Sequence, residues 1–140
     1  MTKLLIGVIG VGLLGSLHAK MFSSISSAEL VGVVDADAGR AEQAASNNNT
    51  KVFSSIDELL KNVKAVSIAT PTSTHFEIAK AAIEAGVHIF IEKPITHTTQ
   101  EAEQLVRFAK AKGVTIQVGH IEGSTRLCLH LKPIVFNRCL

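Results

Sequence analysis

The sequence predicts a doubly wound α/β domain, a six-stranded parallel sheet with helices on both faces. Three observations predict it. Short apolar runs alternate with segments of helical apolar spacing in the order βαβαβαβαβαβ, joined by short loops. The first apolar run, Leu4 to Ile9, passes directly into Gly10-Val11-Gly12-Leu13-Leu14-Gly15. Polar clusters fall at the ends of the runs: Gly10–Gly15, Asp35, Thr70–His75, Glu92–Pro94 and Gly119–Glu122. Ligands of such sheets bind at the carboxyl ends of the strands.

Composition bounds the class. The 140 residues are 46% hydrophobic and 19% charged, which suits one domain with a real core. No apolar run approaches the ~20 residues of a membrane span. The first apolar run leads into glycines and a helix rather than a signal-peptide layout, so the expectation is a cytoplasmic chain with no membrane partner. A formal charge of +2 with scattered lysines argues against nucleic acid. Cys128 and Cys139 lie in the tail without metal-ligand spacing, and no metal is expected.

The elements follow in order. A continuous apolar run such as Leu4–Ile9 suits a parallel strand buried on both faces. In G-x-G-x-x-G, Gly10 permits the tight turn, Gly12 lets the backbone touch a pyrophosphate, and Gly15 lets the next helix pack close. The start of that helix offers free N–H groups and a partial positive charge. The helix is expected from Leu13 to Ile25, with Leu14, Leu17, Met21 and Ile25 as its apolar stripe. His18, beside that stripe, reads as a packing or surface histidine. Ser23 to Ser27 ends the helix.

The second strand runs from Ala28 into Asp35. That acid falls the expected ~20 residues after the glycines, where a carboxylate accepts hydrogen bonds from ribose hydroxyls. Its plainer role would be to cap the Ala-rich helix of Asp37 to Asn47, which Asn47-Asn48-Asn49 breaks. Lys51-Val52-Phe53 is a short third strand, and Ser55 stands at capping-box spacing from Glu58. Lys64 to Thr70 is the fourth strand, stopped by Pro71. Thr72, Ser73 or Thr74 can cap the next helix, with Phe76, Ala79 and Ile83 at helical spacing and Gly86 as its stop. Val87 to Ile91 is the fifth strand, leading into Glu92-Lys93-Pro94. Thr98 caps a long helix with Ala102, Leu105, Val106 and Ala109 on one face, and Gly113 ends it. Val114 to Gly119 is the sixth strand.

Thr70-Pro71-Thr72-x-x-His75 followed by Glu92-Lys93-Pro94, together with the glycine loop, resembles the N-terminal domain of the glucose–fructose oxidoreductase/inositol dehydrogenase (Gfo/Idh/MocA) family. The resemblance covers residues 1–122. Val118-Gly119-His120-Ile121-Glu122 resembles the branch that acts on sugars, including nucleotide sugars. The resemblance implies a Rossmann domain that binds a nicotinamide dinucleotide. It also implies hydride transfer to or from the hydroxyl of a sugar, polyol or nucleotide sugar. By position, Leu13 and Leu14 sit on the pyrophosphate loop with Gly10, Gly12 and Gly15. Thr70, Pro71 and His75 line the adenosine and ribose side, and Glu92 approaches the nicotinamide ribose. Lys93 reaches between nicotinamide and substrate as the catalytic residue. A cation there could polarise a sugar hydroxyl or carry its proton. The plain alternative is a surface Lys93 paired with Glu92. His75 could equally be a first-turn helix residue, and Pro94 could follow a cis bond. The cofactor expected is NAD, since the Asp35 carboxylate repels a 2′-phosphate. Arg40 lies near enough to keep NADP open.

Relatives in this family continue into a second α/β domain that holds most of the substrate pocket and an Asp/His pair. Residues 123–140 are expected to be an irregular tail at the start of that missing domain, with dinucleotide binding retained and turnover poor. Relatives tend to run Arg-Phe-Asn-Pro after Glu122, whereas this chain reads Gly123 to His130. One choice of codons for Arg-Phe-Asn-Pro-Ala-Val-Leu-Ala, read one base late, gives Gly123 to Leu129 and the first two bases of a codon for His130, so 123–130 reads as a compensated frameshift. Three other readings compete: an inactive NAD-binding module, a methyltransferase-like protein (against which Glu-Lys-Pro argues), and a self-associating structural chain whose uncovered apolar surface seeks a partner.

Overall fold

A computed structural model describes residues 2–119. The expected boundary at residue 122, the octapeptide 123–130 and the rest of the tail lie outside the described residues. The elements are β1 (Leu4–Ile9), α1 (Leu13–Ser24), β2 (Ala28–Val34), α2 (Ala38–Asn47), β3 (Lys51–Val52), α3 (Ile56–Leu60), β4 (Ala65–Ile68), α4 (His75–Glu84), β5 (His88–Glu92), α5 (Thr99–Lys112) and β6 (Ile116–Gly119). The strands form one parallel sheet in the order β3-β2-β1-β4-β5-β6. The order reverses between β1 and β4, which opens a crevice at their carboxyl ends.

Side chains alternate across the sheet with a period of two, and each face has its own core. Ile6 and Val8 pack with Ala19 and Phe22 of α1 and Ala44 and Ala45 of α2. Ile9, Val66, Ile68, Ile89 and Ile91 pack with Leu59 of α3, Ile83 of α4 and Leu105 of α5.

The buried face of α1 differs from the expected stripe. Gly15, His18, Ala19 and Phe22 face the sheet, while Leu14 is 36% and Leu17 56% exposed. Hydropathy favours the leucines, but close approach to β1 requires the small residues. A Cβ at Gly15 would collide with the carbonyl oxygen of Gly10. That contact sets the rotation of α1 and turns His18 inward.

The ends of the other helices follow from local chemistry. Asp37 caps α2 by accepting from Arg40 N at 2.9 Å, and Thr98 caps α5 by accepting from Glu101 N at 3.2 Å. Ser55 Oγ accepts from Glu58 N at 3.1 Å, but the Glu58 carboxylate returns to Ser54 rather than to Ser55. No threonine or serine side chain caps α4; a single 3-10 turn, Thr72–Thr74, leads into it instead. The Thr74 hydroxyl is engaged within that turn, 2.7 Å from Pro71 O and 2.8 Å from Thr70 Oγ1. On α5, Leu105 and Ala109 are buried, whereas Val106 is 47% exposed. The Lys93–Pro94 bond is cis.

Candidate cofactor site

The glycine loop occupies the crevice between β1 and β4. Gly10 has φ +84°, a left-handed conformation that disfavours a side chain. A Cβ there would also stand 2.8 Å from Thr70 Cγ2 and 2.9 Å from Ala69 C. Gly12 is the opposite case, since a Cβ on it would meet nothing within 4 Å. The space in front of Gly12 is therefore open to a ligand. α1 starts there with no side-chain cap and no acidic residue in its first turn. Its N–H groups and the positive end of its dipole are left for an anion. Leu13, 82% exposed, and Leu14 flank this opening.

Asp35 is tied to the same loop. Its Oδ2 accepts from Val11 N at 2.8 Å, and Gly10 N donates to Val34 O at 2.8 Å. Oδ1 accepts from Asp37 N at 2.8 Å and from Arg40 Nη2 at 3.2 Å. Asp37, not Asp35, caps α2, so the plainer role weighed for Asp35 falls to its neighbour. Burial pushes the Asp35 carboxyl up, but the N–H groups of Asp37 and Val11 and the Arg40 guanidinium outweigh it. The net direction is down, and the group is a carboxylate at neutral pH.

The other wall is built by the ends of β4 and β5. Ala69 N donates to Ile9 O at 2.9 Å, which holds Thr70 against Gly10. Thr70 is half-buried and Pro71 exposed at this edge. His75 is only 1% exposed and stands behind that wall. Its Nε2 lies 2.8 Å from Thr70 O, and its Nδ1 lies 2.9 Å from Pro94 O and 3.2 Å from Ile95 O. The ring thus links the loop after β4 to the turn after β5, as the first residue of α4.

Glu92 and Lys93 point to different surroundings. Lys93 is exposed, while Glu92 is 5% exposed. Among the described residues no ion pair joins the two, so the surface pairing weighed from the sequence is not formed. Glu92 Oε1 instead lies 2.7 Å from His18 Nε2, and His18 Nδ1 lies 2.7 Å from Ser67 Oγ. Sequence reasoning missed this cluster. The available signal was Ser67, a polar residue within the apolar fourth strand.

An open hollow of about 580 Å³ lies at the opposite, amino-terminal edge of the sheet, lined by residues such as Asp57, Lys64 and Val87. It is remote from the glycine loop and has no part in the site.

A family profile described as "Oxidoreductase family, NAD-binding Rossmann fold" matches residues 4–120. The chain belongs to the Gfo/Idh/MocA oxidoreductase family. Within that family it is 48% identical over 116 residues to UDP-N-acetylglucosamine 3-dehydrogenase of Acidithiobacillus ferrooxidans, covering 83% of this chain and 36% of that protein. It is 41% identical over 116 residues to scyllo-inositol 2-dehydrogenase (NAD(+)) of Bacillus subtilis, covering 80% of this chain and 34% of that one. A solved structure of the Acidithiobacillus ferrooxidans enzyme superposes with a TM-score of 0.84 at 43% identity, covering 94% of this chain and 43% of the other. GenD2 from gentamicin A biosynthesis, solved in complex with NAD, gives a TM-score of 0.82 at 33% identity, covering 85% and 35%. This Gfo/Idh/MocA chain thus carries the family's NAD-binding Rossmann domain and spans about a third of the length of these curated relatives. No described helix is long and apolar enough to cross a membrane.

Proposed function

We propose that this chain is the cofactor-holding part of an NAD-dependent dehydrogenase that oxidises a hydroxyl of a sugar, polyol or nucleotide sugar. The observation that carries the reading is the Asp35–Val11 hydrogen bond, which joins a carboxylate to the glycine loop. A diphosphate in front of Gly12 meets the uncapped start of α1, and Asp35 accepts hydrogen bonds from the attached ribose. The dinucleotide, when bound, supplies the hydride acceptor. Lys93 supports the catalytic part of the reading: it is an exposed cation beside the carboxyl end of β5. Its Nζ can hydrogen-bond the substrate hydroxyl and help carry off the proton as hydride leaves the carbon.

A nucleotide sugar is the favoured substrate class, supported by the 48% identity to a UDP-sugar dehydrogenase. The same reading includes a cytoplasmic location and self-association through exposed apolar residues such as Leu13 and Leu17. A second reading is an NAD-binding module without turnover, supported by a described site made of cofactor-side residues with Lys93 as its one catalytic candidate among the described residues. Calorimetry with NAD, NADP and S-adenosylmethionine, followed by NADH formation with UDP-N-acetylglucosamine and scyllo-inositol, separates the readings. NAD binding with turnover supports the dehydrogenase, and NAD binding without turnover supports the module. Failure to bind NAD removes both.

A further inference from the structure

We propose that His18 and Ser67 are positioning residues that hold Glu92 at the ligand edge of the sheet, so that dinucleotide affinity depends on whether His18 carries a second proton. The proposal rests on the NAD-binding reading above, but its structural basis is separate.

Three elements build the cluster. β4 and β5 pair with Ser67 opposite Phe90, and the strand period places Glu92 on the same face two residues along. α1 covers that face and brings His18 between them. Ser67 is fully buried, His18 is 6% exposed and Glu92 5%. The His18 ring meets the rings of Phe90 and Phe22 edge-on, with centroids 5.4 and 6.4 Å away. Gly119 leaves room for the carboxylate, since a Cβ there would stand 3.1 Å from Glu92 Oε2 and 3.0 Å from Phe90 Cζ.

The proton positions follow from the partners. Burial pushes His18 down, while the charge and hydrogen bonding of Glu92 pull it up; burial prevails, and the ring is neutral at neutral pH. A neutral ring carries one N–H. Placed on Nδ1, it would leave the Nε2 lone pair facing the carboxylate at 2.7 Å. Placed on Nε2, it points toward the carboxylate side while Nδ1 accepts from the Ser67 hydroxyl. The Nε2 contact is short, yet Glu92 Oε1 has no hydrogen-bond partner among the described residues. Glu92 therefore keeps acceptor capacity at the last residue of β5, at the end of the sheet where ligands bind.

The groups facing His18 are Ser67 of β4, Phe90 and Glu92 of β5, and Phe22 of its own helix; among the described residues Glu92 is the titratable and charged one. Lys93, next in the chain, is exposed. When His18 takes a proton, the carboxylate is drawn into an ion pair with it and accepts less well from a ligand hydroxyl.

Two measurements test this. In the first, NAD affinity is followed by calorimetry from about pH 8 to about pH 4.5, through and below the lowered His18 midpoint. Wild-type affinity is expected to fall about tenfold toward the acid end. His18→Gln keeps a neutral donor and is expected to stay within about threefold of wild type at high pH while losing the acid fall. Ser67→Ala, nearly isosteric, is expected to shift the midpoint of the fall. A His18→Gln profile that overlays the wild type overturns the proposal. In the second, the His18 ring is titrated by NMR in the ligand-free chain, with melting curves to confirm folding. Its midpoint is expected below the ordinary imidazole range and lower still in Glu92→Gln; an unchanged midpoint overturns the pair. A chain that binds no NAD at any pH overturns the proposed function and the role in affinity, while the NMR titration still decides the coupling.

Discussion

Asp35 Oδ2 accepts a hydrogen bond from the backbone N–H of Val11 at 2.8 Å, across 24 residues of sequence. A carboxylate at the end of β2 thus sits on the glycine loop after β1. Replacing it tests the ribose and the cofactor preference together. Asp35→Asn keeps an acceptor for Val11 but loses the charge. NAD affinity is expected to fall about tenfold or more, with NADP gaining relative to NAD. Arg40→Ala should reverse the gain in that background. Calorimetry with both cofactors reads each effect.

The same carboxylate makes stability depend on acid. Its folded pKa is depressed, so its contribution is present above the unfolded value of about 3.9 and is lost as the pH falls through the folded value. Urea unfolding at successive pH values should show a steeper loss of stability below about pH 4 in wild type than in Asp35→Asn.

The glycines separate folding from binding. Gly15→Ala drives a Cβ into the Gly10 carbonyl and is expected to cost more than about 2 kcal/mol. Gly12→Ala meets open space and should cost less than about 1 kcal/mol, yet weaken NAD about tenfold by filling the approach to the loop. Thermal melts and NAD calorimetry on the two variants check the contrast.

His18 sets a second pH dependence, near neutrality. Its folded pKa is lowered, so the unfolded chain binds the proton first. Its contribution is present above about pH 6.5 and is lost as the pH falls through the folded value. Wild-type stability should therefore decline below about pH 6.5, and His18→Gln should flatten that decline in denaturant titrations.

His75 joins the two loops that wall the crevice. His75→Phe keeps the bulk but removes both ring nitrogens, so whichever of the Thr70 and Pro94 carbonyls the ring N–H serves loses its donor. The expected cost is about 1–3 kcal/mol, read from the shift in thermal midpoint.

The sequence alone determined the order of strands and helices, the glycine turn and the acid that meets it. Those features are local: apolar runs of strand length, glycines where a left-handed turn is needed, and caps such as Ser55 and Thr98 that act within three residues. The tertiary structure alone decided which face of α1 is buried. Leu14 and Leu17 carried the stronger hydropathy signal, but the contact of Gly15 with the Gly10 carbonyl oriented the helix and left them exposed. That rotation brought His18 to Ser67 and Glu92, which lie 49 and 74 residues away. Local propensity says nothing about partners so distant, because only the packed sheet, with its strand order and register, makes them neighbours.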